Sequence, residues 1–146
     1  MKNWASGSVS VPDYPTFEDV QTTEINFVDV PNAVQTEIAV MNVSDLKMTD
    51  KDYHAGLVAN YILGGAFGSY LNMNLREANG YTYGARSNLG TGRWYKSSFM
   101  ASTKVRNMVT DSAVVEILKE IQRIKTEPVD LEMLNNAKAK FLGNFI

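Results

Sequence analysis

The apolar residues of this chain recur with two different periods, which alternate in blocks along the sequence. A two-residue period, typical of β-strands, covers residues 24–30 and residues 34–43. Residues 81–88 and 94–104 are rich in aromatic and β-branched side chains and predict a second pair of strands, closed as a hairpin. Because a short turn joins the two strands of each pair, we expect antiparallel pairing.

After each strand pair, the spacing of the apolar residues changes to that of helices. Phe67, Leu71 and Leu75 follow one another at intervals of four residues, so we expect them to share one apolar helix face. The predicted helices cover approximately residues 50–63, 67–78 and 108–126, and a last one runs from Asp130 to the end of the sequence.

Polar residues, a glycine and a proline mark the ends of these helices. Thr49 or Asp50 is placed to cap the first helix, and Asp130 is placed to cap the last. The pair Asn79-Gly80 is typical of the left-handed residue that ends a helix, and Pro128 ends the long third helix.

The predicted order of elements is therefore ββααββαα. It indicates an α+β fold in which helices pack on one face of an antiparallel sheet. The length of 146 residues suits one domain. We place the domain at residues 24–146 and interpret residues 1–23, rich in Ser, Pro, Thr and Asp, as a linker or entry segment. Apolar residues still recur at helical spacing over residues 139–146, so we expect the domain to be incomplete at its C-terminal end.

Composition excludes several classes of function. The chain has no cysteine and a single histidine, His54, so it cannot supply a thiolate nucleophile or a zinc site built on cysteines or on several histidines. We therefore expect no cofactor in this chain. A net charge of −2 does not favour nucleic-acid binding. No stretch approaches the ~20 apolar residues of a membrane span, and the start lacks the apolar run of a secretory signal.

Two conspicuous features favour structural roles. The glycine-rich run at residues 64–68 lacks the lysine of a P-loop and follows a predicted helix, so we interpret it as a tight helix–helix corner. We expect His54 to lie on a solvated helix face, since nothing around it resembles a nucleophile elbow. An independent small-molecule enzyme is disfavoured, because no acid–base pair or cofactor loop stands out.

Arg76 and Tyr83 form the strongest candidate site. Arg76 lies in the last turn of the second predicted helix, the chain reverses at Gly80, and Tyr83 enters the next strand, so the two side chains can converge. A guanidinium and a phenol are donors suited to a carbonyl oxygen that gains negative charge. The structural alternative is that Arg76 interacts with the helix dipole and Tyr83 packs in the sheet.

The run from Asn60 to Gly84, NYILGGAFGSYLNMNLREANGYTYG, resembles the C-terminal-half domain of the insulinase/pitrilysin-type zinc peptidases. This family also includes the mitochondrial processing peptidase. The matching features are Leu63-Gly64-Gly65, Phe67, Ser69-x-Leu71, Leu75-Arg76-Glu77 and Gly80-x-x-Tyr83. The resemblance extends more weakly over residues 25–146, and its most specific part is the interval between Arg76 and Tyr83.

The resemblance implies a split active site. In that family, one domain carries an inverted H-x-x-E-H zinc motif, and a homologous domain facing it contributes an Arg and a Tyr to the scissile carbonyl. Arg76 and Tyr83 match those two positions. The resemblance therefore implies a half-site without zinc of its own, inactive alone, that acts on peptides together with a zinc-bearing domain or subunit of the same family.

A function of another class stays open: a structural or binding subunit that kept this fold and lost the reaction. The retained pair of Arg76 and Tyr83 speaks against it. Two departures from the family pattern are Tyr70, where Arg is common, and Tyr81-Thr82, where smaller or aliphatic residues are usual. An incomplete domain would expose an apolar edge or helix face, through which we expect copies of the chain to pair.

Overall fold

The fold is seen in a computed structural model, which describes residues 7–10, 13 and 17–143. In chain order the strands and α-helices are β1 (Gln35–Ser44), α1 (Tyr53–Asn60), α2 (Tyr70–Asn72), β2 (Ala85–Leu89), β3 (Ser97–Arg106), α3 (Thr110–Thr126) and α4 (Leu131–Gly143). Three further helical segments are the π-helical Tyr61–Gly65 after α1, the π-helical Met73–Ala78 after α2, and the 3₁₀ turn Asn107–Val109 before α3.

The three strands form one antiparallel sheet in the order β1-β3-β2. β2 and β3 form the predicted hairpin, but β2 begins only at Ala85, so Tyr83 lies before the strand and not in it as predicted. On the inner face, Thr103 of β3 lies between Ile38 of β1 and Ala85 of β2 in the register, and all three residues are buried. Ala101, two residues earlier, is buried on the same face. The two-residue period therefore directs the apolar and small side chains of all three strands toward one side.

Helices cover that inner face. Leu71, Leu75 and Ile117 are fully buried and belong to the main core together with the inner residues of the sheet. A second, smaller cluster, through which α4 packs, consists of Ile62, Tyr70 and Ala137. None of the helices in the described part of the chain is both long and apolar enough to cross a membrane. The α+β class, with an antiparallel sheet covered on one face, is confirmed.

One predicted strand is not observed. Residues 24–30 form no strand in the structure, and Ile25 and Phe27 are exposed, so the order begins with one strand rather than two. β1 pairs with β3 instead. An alternating pattern specifies the two faces of a strand but not its partner, and a strand needs a partner for its backbone hydrogen bonds. The assignment of residues 1–23 as a linker stays a prediction, and residues 144–146 of the predicted last helix lie outside the described residues.

The predicted cap of the first helix is wrong, whereas that of the last helix is confirmed. α1 begins at Tyr53, after both Thr49 and Asp50. The carboxylate of Asp50 instead accepts a hydrogen bond from the backbone N–H of Lys47 at 2.9 Å. The carboxylate of Asp130 accepts hydrogen bonds from two backbone N–H groups at the start of α4, at 2.9 and 3.2 Å, as an N-cap does.

Candidate functional site

The glycine-rich corner at residues 64–68 seats the helices against β2. Gly64 is buried, and a Cβ atom built on it would lie 2.3 Å from the backbone nitrogen of Ser87. Beside this contact, the Ser87 hydroxyl donates a hydrogen bond to Oδ1 of Asn60 at 2.8 Å. Only glycine permits so close an approach, so the interpretation of this run as a structural corner is confirmed.

Asn72 ties this corner to the beginning of β2. Its Nδ2 donates a hydrogen bond to the carbonyl oxygen of Ala66 at 3.3 Å, and its Oδ1 accepts one from the backbone N–H of Ala85 at 2.8 Å. The carbonyl oxygen of Ala66 also accepts a hydrogen bond from the backbone N–H of Ser69 at 3.2 Å. Because Asn72 is buried, water competes little for these bonds, and they hold the corner, α2 and the start of β2 together.

Arg76 lies on the π-helical segment Met73–Ala78, with a side chain that is 34% exposed. Its guanidinium carbon lies 4.4 Å from the centroid of the Phe67 ring, in a cation–π contact. Its Nε lies 3.5 Å from Oε1 of Glu77. Phe67 does not belong to the apolar helix face predicted for it, because α2 begins only at Tyr70. Phe67 is 67% exposed. The ring supports a charged group at the surface instead of filling the core.

The chain reverses at Gly80, between Arg76 and Tyr83. Gly80 has a φ of +61°, the left-handed region that glycine occupies without strain. Its N–H donates to the carbonyl oxygen of Arg76 at 3.1 Å, and the N–H of Tyr81 donates to that of Leu75 at 2.8 Å, which confirms the predicted helix end. Tyr83 follows, 92% exposed, and its hydroxyl makes no hydrogen bond to any residue that the structure describes.

Both predicted site residues are therefore presented to solvent, on the two sides of one reversal. Arg76 contacts Phe67 and Glu77, whereas no hydrogen bond or cation–π contact joins it to Tyr83 within the described part of the chain. A guanidinium stacked on a ring keeps N–H donors at its edge for a further ligand. The convergence of Arg76 and Tyr83 on one carbonyl group stays a prediction.

Asn74 fixes the segment that carries Arg76 to α3. Its Nδ2 donates hydrogen bonds to Oε2 of Glu116 at 2.8 Å and to Oε1 of Glu120 at 2.6 Å. The hydrogen bond from Asn74, followed by that from Lys119, lowers the pKa of Glu116 below its ordinary value. Glu116 is therefore ionised at neutral pH, and it accepts these bonds as a carboxylate.

Glu120 is buried, which is unusual for a carboxylate and requires polar partners. Its Oε1 accepts the hydrogen bond from Asn74, and its Oε2 lies 3.4 Å from Nη1 of Arg123. The guanidinium of Arg123 also stacks on Tyr70, 4.2 Å from the ring centroid. Tyr70 is the departure from the family pattern noted above, where Arg is common. In this chain Arg123 of α3 places its guanidinium next to that position.

Three residues of the site were not predicted as such from the sequence: Phe67, which contacts Arg76, Asn74, which ties the segment of Arg76 to α3, and Asn72, which holds the corner beside Phe67. For the two asparagines a signal existed, since Asn favours turns and caps over helix interiors and needs a tertiary partner when it lies inside a helix. For Phe67 the signal pointed the wrong way, because its four-residue spacing to Leu71 suggested a shared buried face.

The remaining candidate, His54, is exposed, and its ring lies against that of Tyr53, with the two ring centroids 5.0 Å apart. The described residues contain no group of three or more His, Cys, Asp or Glu side chains that could hold a metal ion. Nothing in the structure therefore gives His54 a catalytic or metal-binding partner among the residues that it describes.

Comparison with known families identifies the class of domain. A family model described as the peptidase M16 inactive domain matches residues 2–141. The chain belongs to this family. The resemblance to the non-zinc C-terminal-half domain of insulinase/pitrilysin-type metallopeptidases is thereby confirmed.

Solved structures show the same fold. A peptidase M16 inactive domain from Pseudomonas fluorescens has a TM-score of 0.69 and 27% identity, covering 76% of this chain and 27% of that one. A conserved protein from Enterococcus faecalis has a TM-score of 0.69 and 24% identity, covering 77% of this chain and 26% of that one. A protease from Helicobacter pylori has a TM-score of 0.69 and 18% identity, and the match covers 77% of this chain and 27% of that one. The last two likenesses show the fold alone.

The chain spans about a quarter of the length of these solved structures, as their covered shares of 26–27% show. A comparison with curated proteins finds no match. These comparisons show the family and the fold of this chain.

Proposed function

We propose that this chain is the non-zinc half of a zinc-dependent endopeptidase, in which Arg76 and Tyr83 bind the carbonyl group of the scissile peptide bond. A zinc-bearing domain of the same family, in the same polypeptide or in a partner subunit, would complete the site. The observation that carries the proposal is the pair of accessible donors flanking the reversal at Gly80, in a chain of the peptidase M16 inactive domain family. The described residues contain no group of His, Cys, Asp or Glu side chains that could hold a metal ion, and in this proposal the zinc lies in the partner domain.

The roles of the two residues follow from the chemistry of amide hydrolysis. When water attacks the carbonyl carbon, the oxygen gains negative charge, and donors aimed at that oxygen stabilise the transition state more than the substrate. Arg76 supplies a permanent cation, and Tyr83 supplies a neutral O–H donor. Neither residue has to transfer a proton, so this half needs no general base.

The surroundings of the pair favour a site shared between two domains. Tyr83 is 92% exposed, so its side chain would gain partners when another domain closes over it. The segment carrying Arg76 is held from behind, through Asn74, by carboxylates of α3. Closure of two halves around a peptide would exclude water and make cleavage depend on both.

The test is a peptidase assay on the full-length protein together with its zinc-bearing domain or subunit. Arg76→Ala and Tyr83→Phe are each expected to lower kcat by about 10²-fold or more, with smaller effects on KM, because oxyanion donors act mainly in the transition state. Tyr83→Phe removes only the hydroxyl group, which is the proposed donor, and keeps the ring. A chelator should abolish cleavage in all active preparations.

Arg86→Ala and Tyr53→Phe provide matched controls. Arg86 is an exposed arginine on β2, and Tyr53 is a partly exposed tyrosine at the start of α1. Both control variants should retain wild-type kinetics. Full activity of Arg76→Ala and Tyr83→Phe would refute the proposal. Stable assembly with the zinc-bearing half, without cleavage in any combination, would support the structural-subunit alternative instead.

A further inference from the structure

We propose that Phe67 is a positioning residue of this site, whose ring holds the Arg76 guanidinium in the orientation that receives the substrate carbonyl. The inference rests on the proposed function of Arg76 and adds to it a residue that contacts the guanidinium directly. The guanidinium carbon lies 4.4 Å from the centroid of the Phe67 ring.

An arginine side chain at the surface needs such a support. The Arg76 side chain is 34% exposed, and a long side chain in that environment samples several rotamers unless contacts select one. Stacking on an aromatic ring restrains the plane of the guanidinium while leaving its edge donors available. The Phe67 ring therefore orients the group that has to form directional hydrogen bonds in the transition state.

The ring can give this support because the backbone beside it is held on both sides. The N–H of Ala66 donates to the carbonyl oxygen of Tyr61 at 3.1 Å. The carbonyl oxygen of Ala66 in turn accepts hydrogen bonds from the backbone N–H of Ser69 and from Nδ2 of Asn72. Phe67 thus projects from a corner that is tied to the helical segments before and after it.

Glu77, the other partner of Arg76, does not replace this contact. Its Oε1 lies 3.5 Å from Nε of Arg76, and the two side chains are 48% and 34% exposed. An ion pair between side chains this exposed is weakened by water and salt. The ring contact is therefore the one that selects the orientation of the guanidinium.

The experiment is a double-mutant cycle in the complete peptidase, with its zinc-bearing half present. Phe67→Leu, which keeps an apolar side chain but removes the ring, should lower kcat roughly two- to fivefold, the change expected for one exposed cation–π contact. KM should change little. Phe67→Tyr keeps an aromatic ring at this position, so its kcat should equal that of the wild-type protein. In the Arg76→Ala background, Phe67→Leu should have no further effect, because a positioning residue acts through Arg76.

Trp94→Leu is the matched control. It removes another exposed ring that lies under an arginine, since the guanidinium carbon of Arg93 is 4.9 Å from its centroid, and it should leave kcat unchanged. If Arg76→Ala itself leaves kcat unchanged, the proposed function fails. If Arg76→Ala lowers kcat but Phe67→Leu does not, or if the two effects multiply fully in the double variant, only the positioning role of Phe67 is overturned.

Discussion

Gly64→Ala perturbs a close approach between the helical segment Tyr61–Gly65 and β2. The added Cβ atom would lie 2.3 Å from the backbone nitrogen of Ser87, 2.6 Å from its Oγ and 2.8 Å from its Cβ, whereas ordinary van der Waals contact begins at 3.4 Å. The helical segment and β2 must therefore move apart by about 1 Å, a shift that a close-packed interior resists.

The magnitude follows from which atoms are in the way. Inserting a methyl group into a packed core costs about 1–3 kcal/mol. The nitrogen and Cβ of Ser87 cannot rotate away, and moving β2 also stretches the 2.8 Å hydrogen bond between Ser87 and Asn60. We therefore expect the upper part of this range, about 2–3 kcal/mol, which lowers Tm by roughly 4–12 °C for a domain of this size.

Gly68→Ala, in the same corner, is the matched control. No atom lies within 4 Å of a Cβ built there, and Gly68 is not among the described glycines with positive φ. This variant should be neutral or stabilised by about 0.4–1 kcal/mol, because alanine restricts the unfolded chain. Thermal and urea unfolding followed by circular dichroism would measure both variants. A wild-type Tm for Gly64→Ala, or an equal loss for Gly68→Ala, would refute the reasoning.

Three further predictions concern the supports of the site and the helix ends. Asn74→Ala removes a hydrogen bond from buried Glu120 and should lower the free energy of unfolding by about 1–3 kcal/mol in urea titrations. It should also raise the pKa of Glu116 toward its ordinary 4.5, as followed by carboxyl NMR. Since the folded pKa is lowered, the stability linked to Glu116 is present above its unfolded pKa and is lost as pH falls through the folded value; an identical Glu116 midpoint in both proteins would contradict this. Gly80→Ala, at a φ of +61°, should cost about 1–2 kcal/mol in the same titrations. Asp130→Ala should cost about 1 kcal/mol, and unchanged unfolding would show that its cap contributes nothing.

The features that were predictable from sequence depend on near neighbours along the chain. A left-handed helix end at Gly80 needs only glycine and the preceding turn, and the cap at Asp130 bonds N–H groups two and three residues away. The position of Arg76 before the reversal and Tyr83 after it follows from the same local signals. The pairing of these two residues with one substrate carbonyl is a prediction from family resemblance, which the assay above would test.

The features that were not predictable depend on residues far apart in sequence. The pattern at residues 24–30 is that of a strand, but these residues pair with none, and β1 pairs with β3, some sixty residues further along the chain. The spacing of Phe67 is that of a buried helix face, but α2 starts three residues later and leaves the ring at the surface under Arg76.

The sequence by itself determined the α+β class, the left-handed helix end at Gly80, the cap at Asp130 and the family. Each of these rests on residue identity or on spacing within a few turns of backbone. Only the tertiary structure decided which strands pair, that Asn74 ties the segment of Arg76 to α3, and that Phe67 contacts its guanidinium. These are contacts between separate elements, and the free energy that selects them arises when the whole core packs.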